Sequence, residues 1–274
     1  MTLTTVRDVV SGVTIGAYLT PVKRVGGRPQ ALAFVPVRAA LRQCFAHWQT
    51  LPDQIQTDNG AVFRGKPGEN VPSPFTLWLT GLQVEHIPIR PSQPTDNAEV
   101  ERQQRTINDY AIVGQGNRNN TDQQALDQAV HELNYALPSR ATGCAGRPPV
   151  VAYPQVLRPR RFYAPELEAS LFDLKRVDAY LATFTWQRKI GKTGQANLGD
   201  SHRKYNVGRH YAGQKLEVRF DPSDRHLVFY DKDGCEVKRC PLRHTGVSDL
   251  MGVGPWPDGA APEHAGLPPD LDKG

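Results

Sequence analysis

The sequence has 274 residues and a formal net charge of +5, with 39% hydrophobic and 22% charged residues. Its length predicts about two domains, and the lack of any stretch near ~20 consecutive apolar residues excludes an integral membrane protein. Residues 1–10 lack the pattern of a secretory signal peptide, and the four cysteines are too few and too scattered for a disulfide scaffold. We therefore expect a cytoplasmic protein with reduced thiols.

The charge is unevenly distributed along the chain. Residues 246–274 hold five acidic residues and one basic residue, which leaves a net charge of +9 on residues 1–245. A basic body favours a polyanionic partner such as nucleic acid. A soluble protein that happens to be basic would show the same balance, so charge alone leaves both interpretations open.

Extended and helical patterns alternate over residues 1–153. The first part predicts a β-hairpin over 2–20 with a Ser11-Gly12 turn, a basic loop over 22–30 and an amphipathic helix over 36–49. A strand over 54–57, a helix over 74–81 capped by Ser73 and a strand over 83–89 follow. The last two elements are a helix over 97–113 and a helix opened by a Thr121/Gln124 capping box.

The composition changes after this region. Residues 154–176 include Arg158-Pro159-Arg160-Arg161 and are interpreted as a basic linker. From about residue 177 the pattern is β, with alternation over 215–220 and a hairpin around 231–234, so residues 177–245 predict a small β-barrel. Residues 246–274 are rich in Gly, Pro and Ala and predict a disordered tail.

Carboxylates occur at two places where predicted elements begin or end. Asp58 follows the strand over 54–57, and Glu99 and Glu101 lie in the first turn of the helix over 97–113. Converging carboxylates repel one another unless cations neutralise them. Mg²⁺ prefers oxygen ligands and keeps positions open for phosphate oxygens, and two such ions can assist both sides of a phosphodiester exchange. The pattern favours nucleotidyl-transfer chemistry.

Each of these signals also has a purely structural interpretation. Asp58-Asn59-Gly60 is a common turn sequence, and Glu101 could pair with Arg105 one helical turn later. Glu99 and Glu101 lie roughly 200° apart around a helix, so only one of them can face Asp58.

Four segments carry a resemblance to a known family. VRDVVSGVTIGAYL (6–19), LPDQIQTDNGAVF (51–63), RPSQPTDNAEVERQQRTI (90–107) and LNYALPSRATGCAGRPPVVAY (133–153) resemble, in this order, motifs in the catalytic core of DDE-type transposases and retroviral-like integrases. HRKYNVGRHYAGQKLEVRFDPSD (202–224) resembles part of the small barrel that follows the core in Mu-like transposases. The resemblance implies an α/β fold with a ribonuclease-H-like mixed sheet, followed by a small β-barrel domain.

The resemblance also implies a function. It is that of a transposase or integrase core that carries out DNA integration, recombination or transposition by Mg²⁺-dependent (or Mn²⁺-dependent) transesterification, in which a 3′-hydroxyl attacks a phosphodiester. Asp58 matches the second metal-binding aspartate, and Glu101 matches the glutamate because it directly precedes Arg102, with Glu99 as the fallback. The implied partners are DNA, as element ends and target, and further copies of the chain in a homo-oligomer on DNA.

One position of the family pattern is not matched. The first catalytic aspartate of the family lies on a strand before the hairpin, and this sequence begins inside the hairpin, so we expect an N-terminally truncated core. Asp8 matches a structural hairpin aspartate and is only a weaker candidate ligand. The main alternative is therefore a catalytically inactive remnant that binds DNA or a full-length partner. A ribonuclease-H-like nuclease with another substrate is a third, less favoured interpretation.

Basic residues near the second half of the chain are candidate DNA contacts. They would bind phosphates without reading base sequence, although an ordinary solvated face would have the same composition. The candidates are Arg188, Lys189, Lys192, Arg203, Lys204, Arg209, Arg160 and Arg161.

Overall fold

The computed structural model describes residues 2–20, 24–25, 28–29, 33–65, 70–90, 98–113, 122–199 and 204–252. They form a mixed α/β structure. The described helices are α1 (Phe34–His47), α2 (Ala61–Arg64), α3 (Pro74–Gly81), α4 (Ala98–Val113), α5 (Gln123–Tyr135), α6 (Pro149–Ala152), α7 (Glu168–Leu171), α8 (Leu174–Ala182) and α9 (Val247–Met251). None of these helices has the length and apolar character that a membrane crossing requires.

The described strands form short sheets. They are β1 (Thr2–Arg7), β2 (Thr14–Thr20), β3 (Arg24–Val25), β4 (Arg28–Pro29), β5 (Gln54–Thr57), β6 (Glu85–Pro88), β7 (Thr185–Lys189), β8 (Gln195–Asn197), β9 (Lys204–Asn206), β10 (Lys215–Asp221), β11 (His226–Tyr230) and β12 (Glu236–Pro241). β3 and β4 pair within the segment predicted as a basic loop.

The chain divides into two compact units. The first contains the described residues of Met1–Pro52 and Ile89–Leu167, and the second contains those of Asp53–Pro88 and Glu168–Pro257. The domain boundaries predicted from the sequence at residues 153, 176 and 245 stay a prediction.

The predicted hairpin of the first unit is confirmed. Strands β1 and β2 pair antiparallel, and Asp8 closes their turn because its Oδ2 accepts hydrogen bonds from the backbone N–H of Ser11 (2.7 Å) and from its hydroxyl (2.6 Å). Gly12 completes the turn at φ +75°, in the left-handed region that favours glycine. The Ser-Gly sequence signal therefore corresponds to a turn fastened by a carboxylate.

Helices α4 and α5 pack on this hairpin. Their shared core contains Ala17, Ile107, Ala111, Leu126 and Ala129. The predicted Thr121/Gln124 capping box does not open α5: Thr121 lies outside the described residues, and the N-cap is Asp122, whose Oδ1 accepts the backbone N–H of Ala125 at 2.8 Å. Asp122 thus satisfies a free amide of the first turn, that of Ala125, one residue later than the Gln124 amide that the box was expected to satisfy.

The first part of the segment predicted as a basic linker, residues 154–167, belongs to the first unit. The backbone carbonyl of Arg161 accepts a hydrogen bond from the backbone N–H of Leu51 (2.8 Å). The guanidinium of Arg161 donates a hydrogen bond to the carbonyl of Pro52 (3.1 Å). Thr50 and Phe162 form an isolated antiparallel bridge. These backbone contacts make residues 161–162 part of the unit's packing.

In the second unit, β5 and β6 form a two-stranded parallel sheet. Between them, α3 begins at Ser73, whose Oγ accepts the backbone N–H of Thr76 at 3.1 Å, as predicted. The strands β1 and β2 form a sheet of their own, separate from that of β5 and β6. The single ribonuclease-H-like mixed sheet therefore stays a prediction.

Residues 174–182 are helical, although the sequence predicted β structure from about residue 177. Val177 and Leu181 are buried one helical turn apart, and Asp173 caps the helix by accepting the backbone N–H of Lys175 at 2.8 Å. Helix α9 likewise occupies the start of the predicted tail, and its Leu250 is buried. Residues 253–274 lie outside the described residues.

The predicted small barrel is an open arrangement in the described residues. Strands β12, β11, β10 and β7 form an antiparallel sheet in that order, and β8 pairs only with β9. Isolated contacts join this ribbon to the sheet: the carbonyl of Asn197 accepts from Arg188 (3.1 Å), and the hydroxyl of Tyr205 accepts from the backbone N–H of Arg243 (3.3 Å).

Candidate functional site

Asp58 directly follows β5 and begins the turn into α2. Its Oδ1 accepts the backbone N–H of Gly60 at 2.8 Å, and the side chain is exposed. Within the described part of the chain, its second carboxylate oxygen accepts no hydrogen bond. The turn interpretation of this sequence is thus confirmed, but the turn uses only one of the two carboxylate oxygens.

A network of side chains holds the strand end from which Asp58 emerges. The Nε2 atom of His86 lies 2.8 Å from Oγ1 of Thr57, and its Nδ1 atom lies 2.9 Å from Oγ1 of Thr76. Ser73 Oγ lies 3.0 Å from Thr76 Oγ1 and donates to the carbonyl of Phe63 at 2.6 Å. Burial and the nearby positive charge of Arg64 lower the pKa of His86 to about 4.

The sequence alone did not identify this network. Its members are spread over 30 residues, from Thr57 to His86, and meet only because β5 and β6 are parallel neighbours with α3 between them. The one sequence signal was Ser73, which was interpreted as a helix cap only.

Helix α4 carries the two candidate glutamates on different faces. Glu99 forms an ion pair and hydrogen bond with Arg7 of β1, and this contact lowers the pKa of Glu99. Gln103 and Gln104, one turn later, donate to the hairpin at the carbonyls of Gly12 and Leu3. This face of α4 is therefore turned towards the hairpin.

Glu101 points away from that face. Its side chain is exposed, and in the part of the chain that the structure describes it makes no hydrogen bond or ion pair, including the pair with Arg105 that the spacing allowed. Asp8 is committed to the hairpin turn through both of its Ser11 contacts. Of the four acidic residues considered as ligands, Glu99 and Asp8 are engaged elsewhere, while Asp58 and Glu101 have carboxylate oxygens open to solvent.

The donor set can be compared with what a divalent cation requires. Mg²⁺ is commonly held by one or two carboxylates, with water and substrate phosphates completing six oxygen ligands. The carboxylates of Asp58 and Glu101 are ligands of the type that Mg²⁺ takes. Among the described residues there is no group of three His, Cys, Asp or Glu side chains that could hold a metal. Asp58 belongs to the second unit and Glu101 to the first, so their meeting at one ion stays a prediction.

The candidate DNA contacts differ in their surroundings. Lys189, Lys192, Lys204, Arg209 and Arg160 are exposed. Arg188 donates to the carbonyls of Asn197 and Gln187, and Arg161 to that of Pro52, so these two also have structural roles. Arg203 lies outside the described residues.

The structure adds Lys215 to this group. It is the direct partner of Lys189 across β10 and β7. The turn carrying Lys192 joins the same end of the sheet, since Ile190 and Gln214 are hydrogen-bonded at 2.9 Å. Sequence reasoning missed Lys215 because only strand register reveals that two lysines are opposite each other.

The arginines of this sheet have different surroundings from its lysines. Arg239 contacts the carboxylates of Asp221 (2.9 Å), Asp224 (2.6 Å) and Glu236 (3.1 Å), and Arg219 pairs with Glu217 (2.5 Å). Acidic partners offset the charge of both arginines, whereas Lys189 and Lys215 form no ion pair among the described residues.

Comparisons with known proteins give limited information. No protein-family model matches the chain, and no curated protein matches it. Among solved structures, one similar chain belongs to the cryo-EM structure of a simian T-cell lymphotropic virus intasome in complex with the PP2A regulatory subunit B56 gamma. The identity is 16% and the TM-score 0.40, over 88% of this chain and 74% of that chain. A similarity this weak carries no argument about function, and the assignment of a mixed α/β fold rests on the structure itself.

Proposed function

We propose that the chain is a transposase or integrase core that transfers DNA strands by Mg²⁺-dependent transesterification. The observation that carries the proposal is the contrast between the two pairs of acidic residues. Asp8 and Glu99, the weaker candidates, are tied to the hairpin, whereas Asp58 and Glu101, which match the family's ligand positions, expose carboxylate oxygens at a strand end and a helix start. Ligands for an ion shared with substrate phosphates need this accessibility.

In this proposal Asp58 and Glu101 hold the metal. The ion, when bound, would stabilise negative charge on the reacting phosphodiester. The backbone N–H of Gly60 holds the Asp58 carboxylate in its turn, and the ion pair with Arg7 engages Glu99.

The basic end of the β7–β10 sheet is the proposed DNA-binding surface. Lys189, Lys192, Lys204, Arg209 and Lys215 would contact phosphates, which gives salt-dependent binding without base readout. The resemblance further implies a homo-oligomer on DNA, and sedimentation of the protein with and without duplex DNA tests that part of the proposal.

The test of activity uses a duplex with a free 3′-hydroxyl end and a supercoiled plasmid as target. We expect joined products in Mg²⁺ or Mn²⁺ that disappear in Asp58→Asn and in Glu101→Gln. Asp109→Asn, an exposed acid on the same helix as Glu101, is the matched control and should retain activity. Products that persist in both ligand variants would contradict the proposal.

A second candidate function is DNA binding without strand transfer. The observation favouring it is that the described residues supply no cluster of three metal-binding side chains. It predicts salt-sensitive DNA binding that is unchanged in Asp58→Asn and in Glu101→Gln, together with no joined products under any metal.

A further inference from the structure

The turn that carries Asp58 is anchored on both sides by one hydrogen-bonded network. Before it, the Thr57 hydroxyl contacts His86 at 2.8 Å; after it, the carbonyl of Phe63 accepts the Ser73 hydroxyl at 2.6 Å. Thr76 connects the two anchors, at 2.9 Å from His86 and 3.0 Å from Ser73. The network thus joins β5, β6, α3 and α2 around the residues between Thr57 and Phe63.

The proton positions in this network follow from donor and acceptor needs. The Thr57 hydroxyl donates to the carbonyl of Asp58 at 3.1 Å, so its oxygen is available to accept a proton from Nε2 of His86. Nδ1 then carries no proton and accepts the Thr76 hydroxyl. When the imidazole is neutral and protonated at Nε2, each proton on the ring and on the hydroxyls of Thr57, Thr76 and Ser73 has one acceptor. The burial of the ring, with Phe75 edge-on at 5.1 Å between centroids, favours the same neutral state.

We propose that His86, as a neutral imidazole protonated at Nε2, is a positioning residue for Asp58. It holds Thr57, and through Thr57 the peptide from which the Asp58 carboxylate projects. The inference rests on the proposed function, because it takes Asp58 to be a ligand for a divalent cation. Partners that orient a ligand commonly change metal affinity by 10–100-fold when they are removed.

The experiment compares hydroxyl-deleting and hydroxyl-retaining variants. Mn²⁺ affinity is measured by electron paramagnetic resonance in wild type, Thr57→Val, Thr57→Ser, Thr76→Val and Asp58→Asn. We expect a roughly tenfold loss of affinity in both valine variants and recovery in Thr57→Ser. Thr80→Val is the matched control, because Thr80 lies one turn after Thr76 on α3 and, within the described ranges, its hydroxyl bonds only to the carbonyl of Thr76.

A second readout is independent of the metal. The ¹⁵N chemical shifts of the His86 ring in the metal-free protein should be those of the neutral Nε2–H form at pH 7. A protonated ring or an Nδ1–H ring would overturn the inference whatever the metal does.

The two proposals fail in different ways. If Asp58→Asn loses Mn²⁺ while both valine variants bind as wild type does, the role of His86 is wrong and the ligand role of Asp58 stands. If Asp58→Asn binds Mn²⁺ unchanged, the metal site itself is wrong. Thermal unfolding of each variant separates these results from loss of the fold.

Discussion

Lys189 of β7 and Lys215 of β10 lie directly opposite each other in the antiparallel sheet. Like charges in this arrangement destabilise a sheet, whereas a bound polyanion would offset their repulsion. We expect Lys215→Glu to raise the free energy of unfolding by about 0.2–1 kcal/mol and to weaken DNA binding. Urea denaturation and fluorescence anisotropy with a labelled duplex measure the two effects, which should have opposite signs.

The control for this prediction is Arg239→Ala at the other end of the sheet, where three acids already surround the guanidinium. DNA affinity should change little in this variant, and the salt slope should stay that of wild type. If Lys215→Glu binds DNA as tightly as wild type at low salt, the two lysines do not contact phosphates.

The lowered pKa of His86, about 4 against its ordinary 6.5, predicts a pH dependence of stability. Between these values the unfolded chain binds a proton that the folded chain rejects, so this residue makes stability fall as the pH is lowered from about 6.5 to 4. In His86→Gln this contribution should be absent. The measurement is the difference in unfolding free energy between wild type and variant at several pH values, and a difference that is constant across the range would contradict the prediction.

The Arg7–Glu99 contact lowers the pKa of Glu99, and its contribution should disappear in acid. A depressed carboxyl pKa stabilises the fold above the ordinary value near 4.5, and this stabilisation is lost as the pH falls through the lower folded-state value. Because Glu99 is 65% exposed, the effect should be below about 1 kcal/mol. Glu99→Gln should be less stable than wild type at pH 7 and equal to it at strongly acid pH, as measured by chemical denaturation.

We expect the N-caps of α3 and α5 to contribute differently to the free energy of unfolding. Ser73→Ala removes a buried hydroxyl that both caps α3 and donates to the Phe63 carbonyl, whereas Asp122→Ala removes an exposed cap of α5. Loss of a cap costs about 0.5–2 kcal/mol, and we expect Ser73→Ala to fall at the upper end and Asp122→Ala at the lower end. Thermal unfolding of the two variants gives the comparison, and a larger loss for Asp122→Ala would contradict it.

Gly60→Ala should affect the candidate site more than the fold. The Gly60 backbone has φ −55°, which alanine adopts readily, but an added Cβ would lie 2.8 Å from Oδ1 of Asp58. The carboxylate has to move, so we expect weaker Mn²⁺ binding with an unchanged midpoint of thermal unfolding. If affinity is unchanged, the turn geometry of Asp58 is irrelevant to metal binding.

Local sequence signals predicted most of the elements. The Ser11-Gly12 turn, the Ser73 cap and the strand ending at Thr57 each depend on residues within a few positions of one another, and the structure has all three. The same local signals identified Asp58 both as a turn residue and as a candidate ligand. They do not reveal that the turn uses one carboxylate oxygen and leaves the other without a hydrogen bond among the described residues.

Long-range relationships could not be predicted in this way. The contacts of Arg161 with residues 51–52, the pairing of Lys189 with Lys215 and the network of His86 all depend on strand register or chain return. Helix α8 was missed because Val177 and Leu181, its two buried residues, are too few to distinguish a helical from an extended pattern.

One face of β10 runs from Lys215 at one end to Asp221 at the other, where Asp224 joins it around Arg239. In the proposed complex we expect DNA to cross β10 near Lys215 rather than to lie along the strand, because the carboxylate of Asp221 repels phosphates. We therefore expect the carboxylates at the far end to set the crossing angle of the duplex without touching it.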